Sequence, residues 1–335
     1  MGSRRSRRIV PVFLPFSGGP GRCVYCAQDK QTGGGAQAPV DALLCETRKA
    51  LEGMPALAPG EERELAFYGG TFTALPEADR RSCLDFLEAM RRTGRISHAR
   101  CSTRPDALAP SVLEELEQSG VGLIELGIQS FSTSVLEASR RGYCGDEALA
   151  ACRRVQDAGF GLGIQLLPGL PGCTPDIFLE DVRQALALHP ACMRFYPCLV
   201  PEGTVLARWF REGLYRPWSI EDTVSTLGEA LRLAWQAGVP VIRLSVAPEP
   251  AFDAALLAGP RHPALGALVQ AEALLRSVEK AAEELPAAPE KLCLPRACQG
   301  FMYGDKGSLK ARWAALGLTP ERITFTGGTL AELHG

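Results

Sequence analysis

The sequence predicts a mixed α/β protein, a partial barrel of the (β/α)6 type followed by a small α+β C-terminal extension. Short apolar runs of strand length alternate with amphipathic stretches of helical period over residues 1–246. This alternation is typical of parallel strands joined by right-handed helical crossovers. Six or seven such units are too few for a closed eightfold barrel. A doubly wound open sheet is the alternative, and in either fold the working residues should lie at the carboxyl ends of the strands.

Seven apolar runs are the predicted strands. They cover residues 9–14, 65–68, 99–103, 122–129, 161–167, 193–199 and 239–246. Four helices are predicted from start signals and apolar residues at helical spacing. They begin at Asp41, at Pro76, at Asp146 as N-cap and at Ser219.

The alternation ends after Val246, where Ala247-Pro248-Glu249-Pro250 indicates a boundary. We therefore predict a core domain over residues 1–246 and a C-terminal extension over residues 247–335. Within the extension, residues 264–284 have the pattern of one long helix, and two short apolar runs follow it.

Composition and charge restrict the class of protein. The 335 residues are 46% hydrophobic and 22% charged, and a formal net charge of −2 offers no broad basic surface for nucleic acid. No apolar run is long enough to cross a membrane, and the N-terminus lacks the apolar core of a secretory signal, so we expect a cytoplasmic protein without a membrane partner. In that reducing compartment the twelve cysteines favour metal ligation or packing over disulfides.

A glycine-rich loop follows the first predicted strand and ends in Cys23-Val24-Tyr25-Cys26. The C-x-x-C spacing lets two thiolates reach one metal centre, which is compatible with zinc, a redox dithiol or an iron–sulfur cluster. A zinc site would need a second pair of ligands, and Cys293 with Cys298 has the wrong spacing for that pair.

Residues 10–28 resemble the first strand and cluster loop of radical S-adenosylmethionine (SAM) enzymes. The resemblance is closest to the subgroup of the elongator catalytic subunit and the oxygen-independent coproporphyrinogen oxidases. That family carries C-x-x-x-C-x-x-C with an aromatic residue before the last cysteine. Here Cys23, Cys26 and Tyr25 match its second cysteine, third cysteine and aromatic, whereas Gly19 stands in place of the first cysteine.

The resemblance implies that Cys23 and Cys26 ligate a [4Fe–4S] cluster, with Tyr25 beside them in the catalytic loop. Loss of the cysteine at position 19 should weaken the cluster. Cys173 and Cys198 lie at the ends of later strands and are conceivable surrogate ligands, although packing explains a buried cysteine more often.

Further matches follow the later strands in order. Gly69-Gly70 after the second strand resembles the glycine motif whose bare backbone approaches the amino group of SAM. The same resemblance implies an Arg141 contact to the SAM carboxylate and a Gln165 contact near its ribose. Altogether it assigns SAM binding to Gly69, Gly70, Thr71, Ser102, Glu125, Gln129, Arg141 and Gln165. Tyr196, in a segment that resembles the sixth strand of the family, could close over the adenine or the substrate, and His262, in a segment that resembles the start of the subgroup's C-terminal extension, could face substrate, with structural roles as the alternative for both.

The implied function is reductive cleavage of SAM at the cluster to drive hydrogen abstraction from an unidentified substrate, either a small molecule or an RNA base. A reductant such as flavodoxin or ferredoxin would supply the electron. Gly19 also permits a degenerate family member that binds SAM or another ligand without cleaving it. A third alternative is a zinc or redox module that uses Cys23 and Cys26 alone.

Overall fold

The main sheet has seven parallel strands in sequence order. The structure, a computed structural model, describes residues 8–14, 23–27, 38–55, 57–246, 250–328 and 331–334. The strands are β1 (Arg8–Phe13), β2 (Arg63–Tyr68), β3 (His98–Thr103), β4 (Leu123–Gln129), β5 (Gly161–Leu166), β6 (Cys192–Phe195) and β8 (Val241–Arg243), and β1 and β8 form the edges. β7 (Val200–Pro201) belongs to a separate two-stranded antiparallel sheet. The sheet curls into a half-barrel, which confirms the predicted fold. A doubly wound sheet would show a reversal of strand order.

Helices cover the outer face of this sheet. They are α1 (Val40–Glu52), α2 (Glu77–Arg92), α3 (Pro110–Gln118), α4 (Thr133–Ala138), α5 (Gly145–Asp157), α6 (Pro175–Ala187), α7 (Val205–Arg211) and α8 (Ile220–Gln236). Edge strand β1 shows the period of two that separates the faces, because Val10 and Val12 are buried whereas Ile9 and Phe13 are exposed. The apolar side chains of each strand therefore pack under the helices, and the lumen face is left for polar residues.

Two details differ from the predicted elements. The N-cap of α5 is Cys144 rather than Asp146, because the Glu147 carboxylate reaches back to accept a hydrogen bond of 2.7 Å from the Cys144 amide. The last predicted strand shortens to the three residues of β8. The predicted start at Ser219 is confirmed, since its hydroxyl accepts from the Asp222 amide at 2.9 Å.

The C-terminal part adds a second, smaller core. It contains α9 (Pro250–Ala254), β9 (Leu256–Ala258), α10 (Leu265–Glu283), β10 (Lys291–Pro295), α11 (Lys310–Ala315), β11 (Ile323–Thr326) and β12 (Glu332–His334). Strands β10, β11 and β12 form a three-stranded sheet, and β9 pairs antiparallel with β7. The first half of α10 packs in the main core and the second half in the small one. The boundary after Val246 stays a prediction. In the part of the chain that the structure describes, no helix is long and apolar enough to cross a membrane.

Candidate cofactor site

Strand register places the predicted residues on the lumen face of the half-barrel. Ser102 on β3 is the Cα partner of Glu125 on β4, and Glu125 is the partner of Gly163 on β5. Gln165, two residues beyond Gly163, is the partner of Arg194 on β6. Because residues two apart on a strand share a face, these side chains converge inside the barrel toward its carboxyl end.

The cysteine segment is clamped between two helical regions at that end. The Val24 amide donates to the carbonyl of Ser139, just after α4, at 3.4 Å, and the Val24 carbonyl accepts from the Leu206 amide in α7 at 2.9 Å. The Cys26 amide donates to the Cys23 carbonyl at 3.1 Å, which closes a tight turn. Backbone contacts on both sides therefore fix the direction in which Cys23 and Cys26 leave the chain.

Two guanidinium groups face the Cys23 sulfur. Arg141 Nη1 lies 3.0 Å from Cys23 Sγ, and Arg104 Nη1 lies 3.8 Å from it. Cys23 is only 8% exposed, so this positive charge acts with little screening by solvent. The two guanidinium groups therefore concentrate positive charge beside the sulfur.

Arg141 is buried and held on several sides. Its Nε donates to Tyr143 Oη at 2.9 Å, and its Nη2 donates to the Gly127 carbonyl at 2.7 Å. Its Nη1 also lies 3.2 Å from Tyr25 Oη, beside the contact to Cys23. Burial raises the pKa of Tyr25 well above its ordinary value, so the phenol stays neutral. One N–H of Nη2 remains for the SAM carboxylate contact that the sequence predicts.

A buried ionic cluster lies deeper in the lumen and holds Glu125. Its Oε1 accepts from Arg100 at 3.0 Å and from Arg194 at 2.9 Å, and the Tyr68 hydroxyl donates to it at 3.1 Å. Glu64 pairs with the other end of Arg100 at 2.5 Å. Two carboxylates thus balance two guanidinium groups in the described lumen wall, which makes the burial of all four tolerable. The oxygens of Glu125 are already engaged, so its position favours support of the site over direct contact with a cofactor.

A glycine makes room for this cluster. A Cβ at Gly163 would lie 2.8 Å from Glu125 Cγ and 3.3 Å from Cys192 Sγ. Atoms at such short distances must move apart, so a larger residue at position 163 of β5 would displace the Glu125 carboxylate. The glycine on the lumen face is therefore part of the ionic cluster's construction.

The strand ends above the cluster form a shelf with unusual backbone geometry. Gly69 follows β2 with φ 97°, and Gln129 ends β4 with φ 70°, a conformation that side-chain-bearing residues seldom adopt. Gln165 Nε2 lies 3.4 Å from Gln129 Oε1. Strain of this kind at a strand end is characteristic of ligand-binding positions.

Two further predicted residues complete the shelf. Ser102 is half-buried, and its hydroxyl has no hydrogen-bond partner among the described residues. Thr71 is 5% exposed, and its carbonyl accepts from the Ala74 amide at 3.0 Å, which closes the short turn after Gly69-Gly70. A free hydroxyl and bare glycine backbone at one end of a polar lumen suit a ligand with several polar groups.

The conceivable surrogate ligands do not join the cysteine segment. Cys173 and Cys198 lie instead beside Tyr215, and burial raises the pKa of each thiol to about 12. Within the described ranges no group of three metal-ligating side chains occurs, so Cys23 and Cys26 have no described third partner. Gly19, where the family has its first cysteine, lies outside the described residues.

Tyr196 and His262 have local partners. The Tyr196 hydroxyl accepts from Arg194 Nη1 at 3.0 Å, so it extends the ionic cluster toward the shelf. His262 Nδ1 accepts from the Ala264 amide at 3.1 Å in the turn before α10, which is a structural role.

Sequence reasoning missed several polar residues that build the site. These are Tyr68, Arg100, Arg104, Tyr143 and Arg194. The signal was present, because Arg100 and Arg194 occur within otherwise apolar strands, where an arginine is unfavourable unless it has a carboxylate partner. Arg104 and Tyr143 gave no such signal, since both follow regular elements as ordinary surface residues do.

An open cleft of about 1090 Å³ is bordered by Asp106, Tyr143 and Glu147. Asp106 is tied to Arg104 by two hydrogen bonds, and Glu147 caps α5. None of the predicted site residues borders the cleft. The polar convergence lies in the lumen, which is therefore the stronger candidate for the cofactor site.

The described residues fit the implied cofactors in part. Cys23 and Cys26 supply two thiols beside concentrated positive charge, which suits an anionic iron–sulfur cluster. The strained shelf and the unpartnered Ser102 hydroxyl suit SAM, whose amino, carboxylate and ribose groups all seek hydrogen bonds.

Two family models match the chain. The model described as the radical SAM superfamily matches residues 13–185, just over half of the chain, and the one described as the radical SAM C-terminal domain matches residues 190–276. Among curated proteins, the tRNA uridine(34) acetyltransferase of Methanocaldococcus jannaschii is 27% identical over 192 residues, which cover 51% of this chain and 36% of that protein. Elongator complex protein 3 of Mus musculus is 30% identical over 211 residues, which cover 56% of this chain and 38% of that protein. The chain thus spans less than half the length of these two relatives.

Solved structures share the fold. The archaeal Methanocaldococcus infernus Elp3 with an N-terminal deletion aligns with a TM-score of 0.61 at 20% identity and covers 82% of this chain and 63% of that one. Coproporphyrinogen III oxidase from Escherichia coli, described as a radical SAM enzyme, aligns with a TM-score of 0.52 at 21% identity, over 70% of this chain and 54% of that one. Identity this low shows a common architecture and no more.

Proposed function

Because the chain belongs to the radical SAM superfamily of enzymes, whose cofactors are a [4Fe–4S] cluster and SAM, we propose that it cleaves SAM reductively and abstracts hydrogen from a substrate in the lumen. The observation that carries the proposal is the Cys23 sulfur held 3.0 Å from the buried Arg141 guanidinium at the mouth of a polar lumen. Held by Cys23 and Cys26, the cluster would supply the electron for cleavage of SAM, and the residues of this chain bind, orient and shield the reacting groups.

The chain's own residues would bind the cluster and SAM and orient them. Cys23 and Cys26 would hold the cluster, Arg141 orients the Cys23 side chain through its contact with the sulfur, and the remaining N–H of Arg141 would bind the SAM carboxylate. Tyr25 stays protonated beside Arg141 and closes that side of the loop.

The shelf residues bind the rest of SAM. The backbone around Gly69, Gly70 and Thr71 receives the amino group, and Ser102 adds a hydroxyl. Gln129 and Gln165 receive the ribose hydroxyls, for which their amide groups offer both donors and acceptors. Glu125 positions Arg194 and Tyr68 below the shelf, so that the lumen wall stays fixed while the ligand is bound.

The substrate enters through the open side of the half-barrel, between β1 and β8. We propose an RNA base or a small molecule of similar size. The relatives named as tRNA uridine(34) acetyltransferases support an RNA base, although this chain covers less than half of such proteins. We place the enzyme in the cytoplasm, where reduced thiols persist and a flavodoxin- or ferredoxin-type donor can supply the electron.

The test is anaerobic reconstitution with iron and sulfide, followed by addition of SAM and dithionite and measurement of 5′-deoxyadenosine. We expect product from the wild type, its loss in Cys23→Ala, and its retention in Cys45→Ala, which removes an exposed cysteine of α1. No product from the wild type together with product from Gly19→Cys would contradict the proposal and would identify a degenerate member that lacks radical chemistry.

A further inference from the structure

One surface of the protein, close to the cysteine segment, combines exposed arginines with the exposed side chain of Leu214 and the half-buried ring of Trp209. We define the α7 face as Arg140, Arg208, Trp209, Leu214 and Arg216. The Arg140 guanidinium stacks over the Trp209 ring, 5.6 Å from its centre. Leu214 is 72% exposed, the largest exposed fraction among the large apolar residues of the described chain.

The arginines of this face have no charged partner. Arg140, Arg208 and Arg216 are exposed, and none of the three guanidinium groups forms an ion pair with a described residue. Three cations without an ion pair to any described residue therefore lie on one face of a chain whose formal net charge is −2. Arginine and aromatic side chains are enriched at protein–protein interfaces.

The α7 face lies against the cysteine segment. The Leu206 amide of α7 donates to the Val24 carbonyl at 2.9 Å, and Val24 is the neighbour of Cys23. Arg208 is two residues farther along α7, an advance of about 3 Å along the helix axis. On the other side, Arg140 follows Ser139, whose carbonyl accepts from the Val24 amide at 3.4 Å. The two elements that carry Arg208 and Arg140 thus hold the backbone of Val24, the residue beside the proposed cluster ligand.

The segment after α7 is firmly anchored, so the face is a fixed surface. The amides of Leu214 and Tyr215 donate to the Trp209 carbonyl at 2.8 and 3.3 Å. The buried Tyr215 hydroxyl donates to the Gly169 carbonyl at 2.6 Å, and Trp218 Nε1 donates to the Cys173 carbonyl at 3.2 Å. A preformed surface loses little conformational entropy when a partner binds.

We propose that the α7 face is the docking surface for an acidic one-electron donor protein of the flavodoxin or ferredoxin type. This inference rests on the proposed function, since a cluster that spends one electron in each cycle needs a donor. The donor loses one electron and the cluster gains it, with no bond formed or broken in this chain. Unpaired arginines complement an acidic donor, and the exposed Leu214 provides an apolar contact at the centre.

The position of the face favours a donor over a substrate. The α7 face adjoins the cysteine segment, which would hold the cluster that receives the electron. RNA is the other macromolecule that arginines and aromatics can bind, and it is an outcome of the test.

The test measures binding of purified flavodoxin to the reconstituted protein by isothermal titration calorimetry at low salt. Combined substitution Arg140→Glu with Arg208→Glu should raise the Kd at least tenfold, because like charges then face the acidic donor. The control is Lys49→Glu in the last turn of α1, an exposed cation at the opposite end of the barrel, and it should change the Kd less than twofold. Leu214→Ser should also weaken binding.

A second readout separates docking from chemistry. With flavodoxin as reductant, 5′-deoxyadenosine formation by the double variant should fall at least tenfold, whereas with dithionite, which needs no docking surface, it should stay within twofold. If the double variant loses dithionite-driven turnover as well, Leu214→Ser decides, because its exposed side chain supports little internal packing.

The docking proposal is overturned if wild type does not bind flavodoxin, if the variants bind it unchanged, or if they lose binding of tRNA instead. Absence of 5′-deoxyadenosine with both reductants, while flavodoxin still binds at the α7 face, would refute the proposed function and leave the docking surface in place.

Discussion

At the scale of single residues, Arg141 connects the cysteine segment to the barrel. It contacts Cys23, Tyr25, Tyr143 and the Gly127 carbonyl from a buried position. Its planar fork serves several acceptors at once, whereas a lysine ammonium in its place would reach only one or two. The residue therefore acts on the cluster through the orientation of Cys23.

Arg141→Lys should therefore impair cluster assembly more than it impairs folding. We expect the free energy of unfolding to fall by about 1–3 kcal/mol through lost hydrogen bonds, and bound iron to fall below half of the wild-type content. Arg104→Lys is the matched control, because its contact to Cys23 is longer at 3.8 Å. Equal iron content in wild type and Arg141→Lys would show that Arg141 does not orient the ligand.

Asp181 gives a prediction on pH dependence. Its carboxylate accepts from the Ser130 hydroxyl at 2.6 Å and from the Phe131 amide at 2.8 Å, just beyond the strained Gln129, and burial raises its pKa to about 6. Because the pKa in the folded protein lies above the ordinary value of about 3.9, the stability that this proton contributes is present at low pH and is lost as the pH rises through 6.

The measurement is urea unfolding of wild type and Asp181→Asn at pH 5 and pH 8. Because asparagine does not ionise, the free energy of unfolding of the variant, relative to that of wild type, should rise by about 1–2 kcal/mol between pH 5 and pH 8. This change does not depend on the absolute cost of the substitution. A difference between the two proteins that is the same at both pH values would mean that Asp181 is ionised throughout this range in the folded protein.

At the scale of secondary-structure elements, the contact between α8 and α10 joins the half-barrel to the C-terminal part. A Cβ on Gly228 of α8 would lie 2.5 Å from Glu272 Cγ and 2.9 Å from Glu272 Cβ. The Glu272 carboxylate is buried and bound by Arg276 at 2.6 Å and by Arg312 at 2.7 Å. The glycine therefore permits the close approach that this ionic network requires.

Gly228→Ala should lower the free energy of unfolding by about 1–3 kcal/mol, because the added methyl group cannot be accommodated without displacing α10. The matched control is Gly266→Ala in α10, where the nearest atom to the new Cβ is 4.0 Å away and the higher helix propensity of alanine should stabilise by up to about 1 kcal/mol. The measurement is thermal unfolding of both variants, which compares the stability of each with that of wild type. Destabilisation by both substitutions, or by neither, would contradict this account of the helix contact.

At the scale of the whole molecule, the alternation of apolar runs with amphipathic helical stretches predicted the half-barrel. All seven strands of the main sheet fall within or beside the predicted apolar runs, because a buried parallel strand shows as a continuous apolar segment. The two-stranded sheet of β7 and β9 was not predicted, since strands of two and three residues are too short to show the alternation of apolar and polar residues.

The site was predictable where its residues follow strands directly. Glycines and amides at strand ends were assigned by resemblance to family motifs that follow the strands, and their roles stay predictions. Arginines within strands indicated that carboxylate partners exist, but the pairing of Tyr68, Arg100 and Arg194 with Glu125 was not predictable because it spans as many as 69 residues of sequence. Arg104 reaches Cys23 over 81 residues in the same way.

The most direct test of the central claim is electron paramagnetic resonance of the anaerobically reconstituted, reduced protein with and without SAM. The account predicts a four-iron cluster that depends on Cys23 and Cys26, and a signal that shifts when SAM is added because SAM binds at the cluster. A signal that SAM leaves unchanged, or protein that binds zinc without iron, would contradict it.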